Sequence, residues 1–200
     1  MIKIKPFEDC VTELSRLPGI GRKSALRLAL FILKNDVKNV EKLADSILNL
    51  KKNISVCKNC YGISEGDICQ TCADPHRKKD ILCVVEDAKD VFIIESSGRY
   101  NGVYHVLGGR IAPLDGIGPE QLRIGELLSR VDKERINEVI LATNPDIEGE
   151  TTAIYIRKKL APFKNLLVTR IASGIPIGSH IEYADEITIL KSLENRREMI

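Results

Sequence analysis

Two hundred residues with 44% hydrophobic content fill one ordinary domain or two small ones, and 29% charged residues suit a soluble surface. The start of the chain has no apolar run of signal-peptide length and no stretch is long enough to span a bilayer, so we expect a cytoplasmic protein without membrane contact, its six cysteines reduced. The net charge of +2 is unevenly spread: residues 1–56 hold eleven Lys and Arg against six Asp and Glu, whereas residues 81–200 hold fifteen against eighteen, so phosphate contact belongs to the basic end and the remainder is better suited to a protein partner.

In chain order, the first segment is helical. Phe7, Cys10, Val11 and Leu14 recur at helical spacing, as do Ala25, Leu28, Ala29 and Ile32, and then Val40, Leu43, Ala44 and Ile47, with Asp36 placed as an N-cap. Between the first two helices, Leu17-Pro18-Gly19-Ile20-Gly21 allows only a tight hairpin. Gly19 and Gly21 permit close backbone approach, and their amides precede a helix whose positive end attracts phosphate. Arg22, Lys23 and Arg27 add cations on the same side. The run resembles a helix-hairpin-helix motif, which reads DNA backbone rather than bases. The bland alternative is a plain helix turn with a solvated basic face. A phosphate-binding P-loop is rejected, because Arg22 separates Gly21 from Lys23 and a helix, not a strand, precedes.

The second segment has no periodicity and is organised by cysteine. Cys57-Lys58-Asn59-Cys60 and Cys69-Gln70-Thr71-Cys72 are two C-x2-C pairs eight residues apart, the spacing of a closed four-thiolate zinc site. A redox C-x-x-C would normally occur once, opening a helix. One structural zinc per chain is therefore expected, and no open coordination position for catalysis. His76 is a possible competing ligand, more simply read as exposed. Cys10 and Cys83 sit on apolar faces as buried, inert thiols, and His105 and His180 receive no role.

The third segment alternates strand and helix. Strands are expected at Ile81–Val85, Val103–Leu107, Val139–Ala142, Leu166–Val168 and Ile187–Leu190, with helices marked by Ile124, Leu127, Leu128 and Val131 and by Ala153, Ile156 and Leu160. The pattern predicts a largely parallel sheet with ligand chemistry at its carboxyl edge. Glu86 ends the first strand, and Asn144-Pro145-Asp146-Ile147-Glu148-Gly149-Glu150 follows the third. This edge resembles the Toprim domain of topoisomerases and primases. In that family the first Glu moves protons and an Asp-x-Asp pair holds magnesium. Here Asn144 stands at the first Asp and Ile147 where an Arg is usual, so magnesium is left open and a solvated acidic rim, enlarged by Asp87 and Asp90, is the alternative.

The order of these parts, over essentially the whole chain, is similar to the bacterial RecR family of recombination mediators. Further stretches carry the likeness: Val84-Val85-Glu86-Asp87, Tyr104-His105-Val106-Leu107-Gly108-Gly109, Ala142-Thr143-Asn144-Pro145 and Gly174-Ile175-Pro176-Ile177-Gly178. The resemblance implies an α+β chain of several parts: a helix-hairpin-helix domain over 1–56, a four-cysteine zinc finger over 57–72, a Toprim-like α/β domain over 80–173, and a C-terminal strand-helix oligomerisation segment over 174–200. It implies a DNA-binding scaffold rather than an enzyme, acting with RecO and RecF to load recombinase on single-stranded DNA at gaps. It also implies binding to single-stranded and duplex DNA without sequence preference, and a homo-oligomeric, tetrameric ring that encircles DNA. Arg22, Lys23 and Arg27 would line the DNA, and the acidic edge of Glu86, Asp87, Asp90, Asp146, Glu148 and Glu150 would receive RecO. The rival readings are a metal-dependent Toprim enzyme acting on DNA and an interaction module without DNA contact.

Overall fold

Helical spacing in the first fifty residues becomes three helices: α1 (Lys5–Ser15), α2 (Arg22–Lys34) and α3 (Val37–Asn53). The structure, a computed structural model, describes residues 4–198, which fall into two compact units divided between Ile54 and Ser55. In the first unit, Val11 of α1 meets Ala25 and Ala29 of α2, with Phe7, Cys10, Leu14 and Ile20 around them. The two alanines keep the helices close. Asp36 occupies the N-cap of α3, but its side chain makes no capping bond. The apolar stripe of α3 buries no residue, and Phe31, Leu33 and Leu50 are also exposed.

The second unit opens with a short antiparallel ribbon, β1 (Ser55–Val56) with β2 (Ile63–Ser64), and the single-turn helix α4 (Gln70–Ala73). Then follow β3 (Lys78–Val85), α5 (Ala88–Ser96), β4 (Gly102–Val106), α6 (Ile124–Lys133), β5 (Glu138–Leu141), α7 (Ile147–Leu160), β6 (Leu167–Arg170) and α8 (Glu186–Glu194). The four long strands form a parallel sheet in the order β4-β3-β5-β6.

The two-residue period of β3 sorts its side chains between two cores. Leu82 and Val84 pack with Leu127 and Val131 of α6 and with Ala153, Ile156 and Leu160 of α7. Cys83 and Val85 pack with Tyr104, Val106, Tyr61, and Val91 and Ile94 of α5. So α5 leaves β3 for one face, and α7 leaves the neighbouring β5 for the other. Between adjacent strands whose connections diverge, a crevice opens at the carboxyl ends. The fold thus directs residues 86 and 144–150 to one place.

The outer edge of β4 is occupied by its own chain. Arg77 Nη1 donates to the Gly102 carbonyl (3.2 Å), Arg130 Nη1 to the Tyr104 carbonyl (2.7 Å), and the Val106 N–H to the Cys60 carbonyl (2.8 Å).

Two expectations change. Ile187–Leu190 is helix rather than strand. Its β-branched run suggests a strand, but Asp185 caps α8 by accepting from the Thr188 N–H (2.8 Å), and Ile187, Leu190 and Leu193 then lie at helical spacing on an exposed face. The helix α5 was not anticipated. Asp87 and Asp90 form a reciprocal capping box at its start, so residues read only as an acidic rim are also its N-terminal signal.

Candidate functional site

The hairpin follows from its sequence. Pro18 and then Gly19, with φ +78°, give a turn closed by the Ile20 N–H donating to the Leu17 carbonyl (3.1 Å). A positive φ after proline is the glycine position of a type II turn. Gly21 in extended conformation starts α2, whose first turn has no acidic residue and no side-chain cap. Its leading N–H groups are thus left to an outside acceptor. Gly19, Gly21, Arg22, Lys23 and Arg27 are all exposed. Among the described residues, Lys23 and Arg27 enter no ion pair, whereas Arg22 Nη2 donates to Glu8 Oε2 (2.9 Å). That pair is solvent-exposed and so weakly held.

The four cysteines converge. The sulfurs of Cys57, Cys60, Cys69 and Cys72 all lie within 4.8 Å of one another. A tetrahedral zinc with bonds of about 2.3 Å separates its sulfurs by roughly 3.8 Å, so the cluster fits. Backbone donors serve it: the Gly62 N–H reaches Cys60 Sγ (3.4 Å), and the Cys69 N–H reaches Cys57 Sγ (3.3 Å). Tyr61, at φ +62°, reverses the chain between them. Burial opposes ionisation of Cys57, but the N–H groups of Cys60, Cys69 and Asn59 outweigh it and bring its thiol to about 7. The hydrogen bond with Cys72, together with burial, drives Cys60 upward, and burial raises Cys69 to about 11. Thiols this close cannot all ionise unless a cation lies among them. His76 is exposed and is not part of the cluster. Of the other thiols, Cys83 is buried, which pushes it up to about 12, and Cys10 is half-buried against the helical core.

At the carboxyl edge, Glu86 is not on an exposed rim. It is only 4% exposed, and both its oxygens are engaged: Oε1 by the Asn144 N–H and Oε2 by the Asn144 Nδ2–H, each at 2.7 Å. Asp146 caps α7, its Oδ1 accepting from the Gly149 N–H (2.7 Å). Arg110 reaches across, bonding Glu148 through Nε, with Nη1 3.9 Å from both Glu86 and Asp146. Arg170 bonds Glu150 (2.5 Å) and the Leu141, Thr143 and Asn144 carbonyls. A Cβ at Gly149 would fall 2.2 Å from the Asn144 carbonyl oxygen and 2.7 Å from Glu86 Oε1, so this position needs glycine. Asp87, Asp146 and Glu150 are exposed, and Asp90 and Glu148 half-buried.

Magnesium requires several oxygen lone pairs aimed at one point. Here Asn144 turns its backbone N–H and its Nδ2–H towards Glu86, while a guanidinium faces the other acids. The residues present do not fit that ion.

Sequence reasoning missed Arg110 and Arg170. The available sign for Arg110 was the Gly108-Gly109 pair before it, whose φ values of +82° and +151° make a sharp turn that presents the next side chain. It also gave His105 no role. His105 is fully buried on β4; its Nε2–H donates to the Arg123 carbonyl (2.8 Å), and its ring stands edge-on to Tyr61. His180 stacks edge-on with Tyr183.

A helical hairpin, a four-thiol knuckle and a parallel Toprim-like sheet carried in one chain define the class of protein. Comparison with known proteins narrows it. The family described as "RecR, helix-hairpin-helix" matches residues 7–51, the Toprim domain residues 80–172, and "RecR, C-terminal" residues 174–197. The chain is 49% identical over 190 residues to the recombination protein RecR of Nocardioides sp., covering 95% of each. It is 48% identical to that of Gloeothece citriformis over 97% of this chain and 96% of the relative. With that of Trichormus variabilis it shares 50% identity over 93% of this chain and the whole of the relative. The chain belongs to the RecR family of recombination proteins.

Proposed function

We propose that this chain is a cytoplasmic, non-enzymatic DNA-binding scaffold of recombinational repair, which acts with RecO and RecF to help load recombinase on single-stranded DNA at gaps. The observation that carries it is the hairpin: an uncapped helix start beside Lys23 and Arg27, unpaired among the described residues, next to the left-handed turn at Gly19. Backbone amides and free cations suit phosphates of single strands and duplexes alike, without sequence preference. One hairpin supplies few contacts, so useful affinity calls for several hairpins linked in an oligomer. The exposed apolar residues of α2, α3 and α8 support such self-association, here proposed as a tetrameric ring. We assign the division into 1–56, 57–72, 80–173 and 174–200 to DNA contact, a structural zinc, a partner platform and oligomerisation in turn. On the platform, the exposed Asp87, Asp146 and Glu150, with Asp90 and Glu148, are the groups offered to RecO, and Glu86 supports them from beneath.

The test is fluorescence anisotropy on labelled single-stranded and duplex DNA across a salt series. The double reversal Lys23→Glu, Arg27→Glu should reduce affinity at least about tenfold and flatten the salt dependence, while the melting curve stays native. Unchanged binding by the doubly reversed protein would place the DNA site elsewhere.

A further inference from the structure

We infer that Arg110 is a built-in counter-ion: its guanidinium serves the acidic crevice in place of a divalent cation, so the edge keeps its shape without metal. Three observations combine. First, the carboxylates of Glu86, Asp146 and Glu148 converge on one guanidinium, which bonds Glu148 and lies 3.9 Å from each of the other two. Three acids around one point repel one another unless a cation stands among them. Second, several of the oxygens that a metal would use already accept hydrogen bonds from the chain. Both oxygens of Glu86 accept from Asn144, and Oδ1 of Asp146 accepts from Gly149. Each of these bonds needs a carboxylate on one side and an N–H on the other. Asn144 is thus a hydrogen-bond donor in the place of a metal ligand.

Third, the arginine is delivered by a constructed turn. The Gly108 and Gly109 N–H groups both donate to the Glu86 carbonyl, at 3.0 and 2.9 Å. Both glycines have φ values closed to ordinary side chains. One residue further on, the Ile111 N–H is held by Thr152 Oγ1 of α7 (2.9 Å). The backbone on either side of Arg110 is therefore pinned, to the end of β3 before it and to α7 after it. The turn and the acids it serves are one assembly, since Glu86 anchors the turn by its main chain and meets the guanidinium by its side chain. A flexible surface arginine that met these acids by chance would have no such support.

The inference goes beyond the DNA-binding reading, and its test involves no DNA. Mn²⁺ is titrated into the native oligomer and into Arg110→Gln, Asn144→Asp and the double variant, with free Mn²⁺ followed by electron paramagnetic resonance. Native protein should show no saturable uptake at the edge. The double variant, which loses a cation and gains a carboxylate, should bind Mn²⁺ at least about tenfold more tightly. Native protein that binds as tightly as the double variant, or a folded double variant that gains no affinity, overturns the inference. Should the double variant melt too low to titrate, amide hydrogen exchange on native protein decides. Protection of the Asn144 and Gly149 amides should be the same with and without Mg²⁺, and a Mg²⁺-dependent change there overturns the inference.

Discussion

Lys23 and Arg27 stand exposed with no ionic partner among the described residues, whereas all six carboxylates expected at the sheet's edge accept a bond from, or pair with, a donor in their own chain. The hairpin keeps its electrostatic potential for something outside. The sheet edge spends much of its own on holding two strand ends and a helix start together. Counting charges along a sequence weights both regions equally. Only pairing distinguishes a charge that awaits a ligand from one already at rest, and a partner meeting the edge must recognise its remaining acidity and its fixed shape together.

The four thiols extend the comparison, as acids whose cation must come from outside. Cys57→Ser should remove bound zinc and melt the knuckle around residues 55–73. A structural zinc contributes on the order of 10 kcal/mol of coupled binding and folding free energy, so this is the largest effect expected. Elemental analysis and thermal melts would measure it, and a variant that kept one zinc per chain and its native melting would refute four-thiol ligation.

His105 is the opposite case, a group denied its charge. Burial holds its imidazole down at about 4, against an ordinary 6.5, although its bond to the Arg123 carbonyl acts the other way. Above pH 6.5 both folded and unfolded chains are neutral here, and this contribution to stability is complete. As the pH falls from 6.5 towards 4, the unfolded chain takes up the proton first, and about 3 kcal/mol should be lost. Urea denaturation at a series of pH values should show this slope, and His105→Gln should lack it. Equal slopes would mean that the ring is not held neutral.

Next in size is the packing of the edge. Gly149→Ala forces a methyl group against the Asn144 carbonyl and Glu86, and should destabilise the sheet unit by about 2 kcal/mol in the same assay. A neutral outcome would show the edge to be looser than its hydrogen bonds indicate. The smallest effect sharpens the hairpin side of the comparison. Lys23→Gln should weaken DNA binding by about 1 kcal/mol and lower the salt slope by about one. Arg22→Gln should do less, because Glu8 already shares that guanidinium. If anisotropy gives equal losses, the Glu8 pair does not hold Arg22 back.

How much of this was legible depended on the range of the interaction. Helical spacing gave α1 to α3, short apolar runs gave the strands of the sheet, and the cysteine spacing gave the four-thiol cluster, because each is set within a few residues. Short-range competition caused the errors. The β-branched run at Ile187–Leu190 looked like a strand until Asp185 was weighed as a cap, and the Asp87/Asp90 spacing was read as surface charge rather than as a capping box. The long-range partners were invisible. Arg110 meets Glu148 across 38 residues, and Arg170 meets Glu150 across 20, so neither could be paired from the sequence, and Glu86 was misjudged as exposed for the same reason.

The dressing of β4 has a consequence for the life of the protein before and between its tasks. An open strand at the border of a sheet is a template on which another chain can add itself, the first step towards fibrous or amorphous precipitation. Here the Gly102 and Tyr104 carbonyls are taken by Arg77 and Arg130, and the Val106 amide by the loop that carries Cys60. Part of that shield is folded only as firmly as the cysteine cluster beneath it. If the cluster takes up the zinc proposed for it, a newly made chain still without that ion would leave this border partly bare, and its solubility would then depend on how quickly the ion arrives.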